Sequence, residues 1–326
     1  PRAPVRRDFN VRYFSASTVS SQATPDKTGA GRERDLASRE ELYGVLDAYL
    51  AALAARDPSL APIAANAFNT ENNVVLQVGD GVWNTITAKH DYDLRFAEPG
   101  RGQVAVFTAV EETDALNPCC IRLEVDGGRI TGIETVVARN KDEGFPFGPQ
   151  HFERKPVMEA LIPEAERASR EELVRVANGY FETIERNDGT IATRFWPHCN
   201  RVENGVQTTN NQDFPLPVAR MGCEEQFALG WYRYDDDLRA RRFPLVDEQK
   251  GLVVAGGFID HSGRMTEVTW TDGSQHDSIF HFPHSFALLE MFKIIDGQIA
   301  EVEAVFITVP YNMPSPWIAP QPYVVR

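Results

Sequence analysis

The pentapeptide Ser-Arg-Glu-Glu-Leu stands at Ser38 to Leu42 and again at Ser169 to Leu173, 131 positions later (169 − 38). Each copy opens a segment with the same apolar spacing. Leu42, Val45, Leu46, Tyr49, Leu50 and Leu53 match Leu173, Val176, Ala177, Tyr180, Phe181 and Ile184. Offsets of 0, 3, 4, 7, 8 and 11 trace one face of an amphipathic helix. In both copies a Glu follows the Ser by three positions, so hydroxyl and carboxylate can satisfy the open backbone N–H groups at the helix start.

The echo continues. Thr70 to Asn73 (TENN) answers Val202 to Gly205 (VENG), and Ile121 to Val136 answers Phe292 to Val305, each pair of strands turning at an Asp-Gly. From the Ser to the Glu of the first echo the separations are 33 (71 − 38) and 34 (203 − 169). An internal duplication is the reading. From Glu71 to Glu134 is 63 residues and from Glu203 to Glu303 is 100, so the second copy carries 37 more (100 − 63), expected as one insertion before its last hairpin.

A chain of 326 residues with 42% hydrophobic content has room for two ordinary cores. The expected division is an arm over 1–36, a first domain over 37–139, a linker over 140–160 dense in Gly, Pro and charge, a second domain over 161–310, and an extended Pro-rich tail over 311–326. A formal charge of −14 repels phosphate backbones and anionic lipid. Nucleic acid and membranes are therefore not expected partners, and no apolar run reaches the length of a membrane span. The four cysteines, Cys119, Cys120, Cys199 and Cys223, show no C-x-x-C spacing and suit a reducing cytosol. No G-x-G-x-x-G fingerprint and no Ser nucleophile elbow is present, so no cofactor is expected.

Each copy reads as a capped helix, a short helix and then strands ending in a long hairpin, an α+β arrangement with helices gathered on one face of a sheet. This order, with the segments around Tyr180 (GYFETIERNDGT), Glu203 (VENG) and Glu290 (LEMFKIIDGQI), resembles the nuclear-transport-factor-2-like, or SnoaL-like, superfamily. The resemblance covers most of residues 38–139 and 169–309. It implies two tandem cone-shaped domains, each a curved antiparallel sheet covered by helices, with a mouth that accepts a small molecule. The superfamily includes ketosteroid isomerases, scytalone dehydratase, polyketide cyclases and epoxide hydrolases besides members without catalysis.

Compared with the ketosteroid isomerases, in which a tyrosine and a protonated acid hold an oxyanion while another carboxylate moves the proton, this chain has Tyr180, Asn204 and Glu290 at the similar places. Asn204 departs from the pattern, because an amide removes no proton. The first copy keeps Tyr49 and Asn72 and is read with Cys119 where Glu290 would be. Strand parity adds a reading of its own: His284, Phe286, Leu288, Glu290, Phe292 and Ile294 share one face, on which an acid among apolar neighbours stays protonated. The competing reading turns Leu289 and Met291 inward and Glu290 to water. Five of the seven histidines, His198, His261, His276, His281 and His284, lie in the second copy, and one of them, with His198 and His284 foremost, or Asp260 could supply the missing base, at least one being expected in the pocket. His281 and His284 with Asp260 or Glu290 could imitate a metal site, but the spacing is loose and Pro283 interrupts it, so no metal is expected.

The resulting expectation is a cofactor-independent acid–base enzyme, a lyase or dehydratase first and an isomerase or cyclase second, acting on a small apolar molecule in the second cone. Tyr180 and Glu290 would polarise an oxygen. Asn204, Trp196, Trp231, Tyr232, Phe286 and Arg239 would bind substrate, with Tyr232 and Tyr234 on one strand face. The alternative is a noncatalytic binding or assembly protein whose few pocket polar groups satisfy one another, and either reading allows a homo-oligomer.

Overall fold

The computed structural model describes residues 37–139, 146–149 and 152–318. The expected arm over 1–36, the end of the tail (319–326) and residues 140–145, 150 and 151 of the linker lie outside the described residues.

The first half runs α1 (Arg39–Ala54), β1 (Ile63–Glu71), β2 (Val74–Val75), the single-turn α2 (Val82–Thr85), β3 (Ile86–Glu98), β4 (Gln103–Glu112), β5 (Ala115–Asp126) and β6 (Arg129–Val137). After α3 (Pro156–Glu159) the second half follows with α4 (Arg170–Arg186), β7 (Phe195–Glu203), β8 (Val206–Gln207), α5 (Cys223–Ala228), β9 (Asp237–Asp247) and β10 (Leu252–His261). A small hairpin of β11 (Glu267–Thr269) and β12 (Gln275–Asp277) then precedes the long hairpin of β13 (His284–Ile295) and β14 (Gln298–Val309). Two six-stranded sheets result, ordered β2-β1-β6-β5-β4-β3 and β8-β7-β14-β13-β10-β9. The molecule is thus two tandem α+β cones with one strand order. Each sheet is antiparallel but for one pair, β1 with β6 and β7 with β14.

Local chemistry accounts for the shared elements. Ser38 and Glu41 form the reciprocal cap of α1. Ser169 accepts from the Glu172 N–H at α4, while Glu248 takes the neighbouring Arg170 N–H at 2.6 Å. The turns after β1 and β7 use left-handed residues, Asn72 (φ 51°) with Asn73 (φ 66°) and Asn204 (φ 47°) with Gly205 (φ 82°). At Gly205 a Cβ would sit 2.5 Å from the Gly148 carbonyl oxygen, so the close approach requires glycine. The Asn72 side chain brackets the Val137 backbone at 2.8 and 3.1 Å, and that of Asn204 brackets Phe306 at 3.1 and 3.2 Å.

α1 buries Leu42, Leu46, Tyr49 and Leu53 against one face of the first sheet, and α4 buries Leu173, Val176, Tyr180 and Ile184 against one face of the second. The opposite faces of the two sheets pack on each other. Leu94, Phe96 and Phe107 of the first meet Leu245, Val254, Leu289 and Met291 of the second. Both parity sets of β13 are therefore buried, one under α4 and the other against the first sheet, and the reading that turned Glu290 to water fails.

Charged pairs pin the seam. Arg39 holds Asp247 with two bonds of 2.5 and 2.8 Å, Arg170 holds Glu98 at 2.8 Å, and Tyr92 donates to Glu303 at 2.7 Å. Glu134 takes Arg122 at 2.8 Å and Arg242 at 2.9 Å. Arg122 at 4.5 Å and Arg242 at 5.9 Å both lie over the Trp317 ring, which donates to Thr70 at 3.0 Å, so the described part of the tail straps both halves.

The 37-residue excess is split, not single. From the end of β8 to the start of β9 is 30 positions (237 − 207) against 11 between β2 and β3 (86 − 75). From the end of β10 to the start of β13 is 23 (284 − 261) against 3 between β4 and β5 (115 − 112). The two additions meet in one apolar cluster, with Leu216, Val218, Trp231 and Tyr234 from the first and Val268, Trp270 and Phe280 from the second.

Candidate active site

That cluster roofs a cavity of about 120 Å³ in the second cone. Since a void of roughly 10–15 Å³ holds one water, it suits a molecule of roughly ten non-hydrogen atoms. Ile259, Phe280, Phe286, Leu288 and Phe306 supply much of its apolar wall.

The polar wall comes from three adjacent strands. Glu203 on β7 pairs with Ala304 on β14, which pairs with Glu290 on β13. The two glutamates flank an alanine in one row, with Cα atoms two strand spacings, about 10 Å, apart. Because Ala304 has only a methyl group, the floor between the carboxyls stays open. Arg201, two positions before Glu203 and on the same face, bonds Glu203 at 3.1 Å, Thr208 at 3.1 Å, Gln226 at 2.6 Å and the Tyr180 hydroxyl at 3.5 Å. Thr208 also donates to Glu203, and Tyr232 donates to Gln226 at 3.0 Å.

The two carboxyls are set apart by their surroundings. Glu290 is 4% exposed. Burial, and next the charge of Glu203, push its pKa up to about 8, against the opposing pull of Arg201 and the Tyr180 hydroxyl. Glu203 instead has the guanidinium. Burial also raises Tyr180 well above the ordinary phenol value, with Glu290 adding to the shift, so both stay proton donors near neutrality.

A second polar pair lies in the same wall. His261 Nε2 is 2.8 Å from Asp235 Oδ1, both side chains are buried, and His261 Nδ1 has no hydrogen-bond partner. Burial raises the Asp235 pKa, opposed by His261. His261 faces His284 across the β10 and β13 ladder, six positions from Glu290, so this pair marks a different stretch of the cavity.

Of the residues singled out from the sequence, Tyr180, Glu290, Trp231, Tyr232, Tyr234 and Phe286 line the cavity. The others lie elsewhere. Asn204 spends its amide on the Phe306 backbone in a left-handed turn, which turns Glu203, its neighbour, inward in its place. Asp260 is committed to Arg239 (2.5 and 3.0 Å) and Ser285 (2.5 Å), and Arg239 is thereby occupied too. His198 is exposed on β7, and Trp196 packs against the core from outside the cavity. His284 stacks on His261 at 4.5 Å without lining the void. Trp231, Tyr232 and Tyr234 stand in turns before β9, so the two tyrosines share no strand face and reach the cavity from its roof. No group of three or more His, Cys, Asp and Glu side chains among the described residues could hold a metal ion. His261, one of the five second-copy histidines, also lines the cavity, whereas sequence reasoning missed Glu203, Arg201, Gln226 and Asp235. Alternation along Arg201, Val202 and Glu203, carried back from the turn, was the available signal for the first two.

The first cone differs at the corresponding places. Its hairpin pairs Arg122 with Glu134 and Ile121 with Thr135, as the second pairs Met291 with Glu303 and Glu290 with Ala304. Ile121, not Cys119, therefore occupies the position of Glu290; Cys119 matches Leu288. Tyr49 keeps its place but meets Trp83 edge-on at 5.3 Å, and Glu71 is taken by the Val82 N–H at 2.6 Å and Arg139 at 3.0 Å.

Residues 166–306, which carry the second cone, match a family described as a domain of unknown function (DUF8021). Comparison with curated proteins gave no match. Similar solved structures include a protein of unknown function with a cystatin-like fold from Methylobium petroleophilum, 14% identical over 33% of this chain and 82% of its own, with a TM-score of 0.29. AusH from Aspergillus nidulans is 13% identical over 43% of this chain and 86% of its own, TM-score 0.28. An NTF2-like protein from Cytophaga hutchinsonii is 13% identical over 43% of this chain and 99% of its own, TM-score 0.26.

Proposed function

We propose that the second cone is the site of a cofactor-independent acid–base enzyme acting on a small, uncharged and largely apolar molecule that bears an oxygen. The reaction class is elimination of water, with proton migration beside a carbonyl as the related outcome. The observation that carries the reading is the pair of glutamates facing one open floor, one matched to an arginine and the other not. Carboxyls placed in such different surroundings divide the work of acid and base. Glu203, positioned by Arg201 and Thr208, takes a proton from the carbon beside the carbonyl. Glu290 with Tyr180 delivers a proton to the departing hydroxyl, or hydrogen-bonds the oxygen as charge develops on it. Arg201 and Glu203 cancel each other and Glu290 is neutral, so the wall suits no net substrate charge.

The test is a panel of small cyclic β-hydroxy ketones, followed by the absorbance of the conjugated enone. Turnover is expected for at least one member, with Glu203→Gln and Glu290→Gln each lowering it by roughly tenfold to a thousandfold. Binding without turnover across the panel, unchanged by either substitution, would favour the noncatalytic binding protein.

A further inference from the structure

Two buried thiols stand directly behind the polar wall and take no part in the chemistry above. Cys199 lies on β7 and Cys223 opens α5, yet their sulfurs are 3.2 Å apart and each residue is 1% exposed. Along β7, Cys199, Arg201 and Glu203 share a face. On α5, Cys223 and Gln226 are three apart and so are neighbours on the helix surface. The 2.6 Å bond between Arg201 and Gln226 thus joins the same two elements as the sulfur pair. The chain between the cysteines contains Thr208, Leu216 and Val218, all of which line the cavity.

We propose that Cys199 and Cys223 form a reversible disulfide, with a hydroperoxide as the oxidant, and that this bond staples the wall and roof of the cavity. The Cys199 thiol donates to the Cys223 sulfur, and this bond, with help from the Arg201 charge, lowers the Cys223 pKa. Cys223 is therefore the attacking thiolate. It displaces hydroxide from the peroxide O–O bond to become a sulfenic acid. Cys199, giving up its proton, then attacks that sulfur, the S–S bond forms and water leaves. Two thiols and one hydrogen peroxide become one disulfide and two waters, the pair losing two electrons and the peroxide gaining them. Reversal requires a dithiol reductant.

Three measurements on the whole chain test this, before and after treatment with hydrogen peroxide in the folded state. Intact mass should fall by two hydrogen atoms, and peptide mapping should join the segments holding Cys199 and Cys223. The melting temperature should rise by roughly 5 °C, because a loop of this length is closed in the unfolded chain, and hydrogen exchange over 204–222 should slow. Dithiothreitol should reverse all three. Cys199→Ala and Cys223→Ser should each abolish them, while Cys119→Ala, in the first cone, should leave them intact. Persistence of all four thiols under peroxide, or a sulfinic acid on Cys223 with no cross-link, would overturn the proposal. So would the same mass loss in Cys199→Ala.

Discussion

Glu290 offers a test that needs no substrate. Its carboxyl has a pKa pushed from 4.5 to about 8, a rise of 3.5 (8 − 4.5), so the native state binds this proton far more tightly than the unfolded chain does. At about 1.36 kcal/mol per unit the rise corresponds to roughly 5 kcal/mol of stability, present below the unfolded value and lost as pH climbs through the folded one. The direction is opposite to that of a carboxylate held by a salt bridge. Between about pH 5 and pH 8 the parent should lose roughly 1.4 kcal/mol per pH unit from this group alone. Glu290→Gln keeps the shape and cannot ionise. Its stability relative to the parent should therefore be near zero at about pH 5 and favourable by several kcal/mol at about pH 9.

Urea unfolding of both proteins over this range, compared as a difference, isolates Glu290 from Glu303, whose pKa burial also raises to about 7. Glu303 titrates in both proteins and cancels. A difference that stays flat with pH would mean that Glu290 is not held neutral in the cavity, and the assignment of a proton donor there would fall with it.

Tyr180→Phe should lower turnover by roughly tenfold to a thousandfold, as for loss of an oxyanion-type donor. Tyr49→Phe should leave turnover near the parental value, since Ile121 stands in the place of the acid; equal losses in the two variants would refute the assignment to one cone. Glu134→Ala breaks the tie to Arg242 and takes one carboxylate from the buried Arg122, which keeps Glu124 at 2.9 Å and Gln103 at 2.7 Å, and should cost about 1.5–3 kcal/mol in urea unfolding. A cost under about 1 kcal/mol would show that this cluster does not hold the seam.

Much of this architecture was written in local pattern. The capped helices announced themselves through Ser38 and Ser169, and the hairpins through Asp-Gly. Period-2 alternation puts Glu290 on one face with Phe292 and helical period puts Tyr180 on the apolar face of its helix, while their meeting was implied only by the family resemblance. The misplacements came where one residue changes the face. Whether Asn204 or Glu203 looks inward depends on where β7 ends and the left-handed turn begins, and the asparagine was claimed by the Phe306 backbone. Aligning the Asp of each turn misplaces the hairpins by one residue, because the first turns on Gly127-Gly128 and the second on Asp296-Gly297; that sets Cys120 against Glu290, and Cys119 is one residue further off. His261 and Asp235 are 26 positions apart, and nothing in their flanks marks a meeting brought about by β10 and the roof. The buried reverse face of each sheet was illegible for a simpler reason: apolar residues on both faces of a strand say that something covers them, not what does.

The two cones share helix position, strand order and the tyrosine, so neither fold nor helix explains why a cavity forms in the second. The added chain does. In the first cone the short connection between β2 and β3 is α2, whose Trp83 fills the space beside Tyr49 and whose Val82 N–H takes up Glu71. In the second, α5 sits farther along a longer loop, and Phe214, Leu216, Trp231, Ile279 and Phe280 from two separate additions form a roof above the sheet and leave the space beneath it open. Glu203, freed from a helix N–H, pairs with Arg201 instead. The same loop lengthening that opens the void therefore releases one carboxylate and buries the other. Shortening both loops to the lengths found in the first cone would remove the roof and with it the burial that keeps Glu290 neutral.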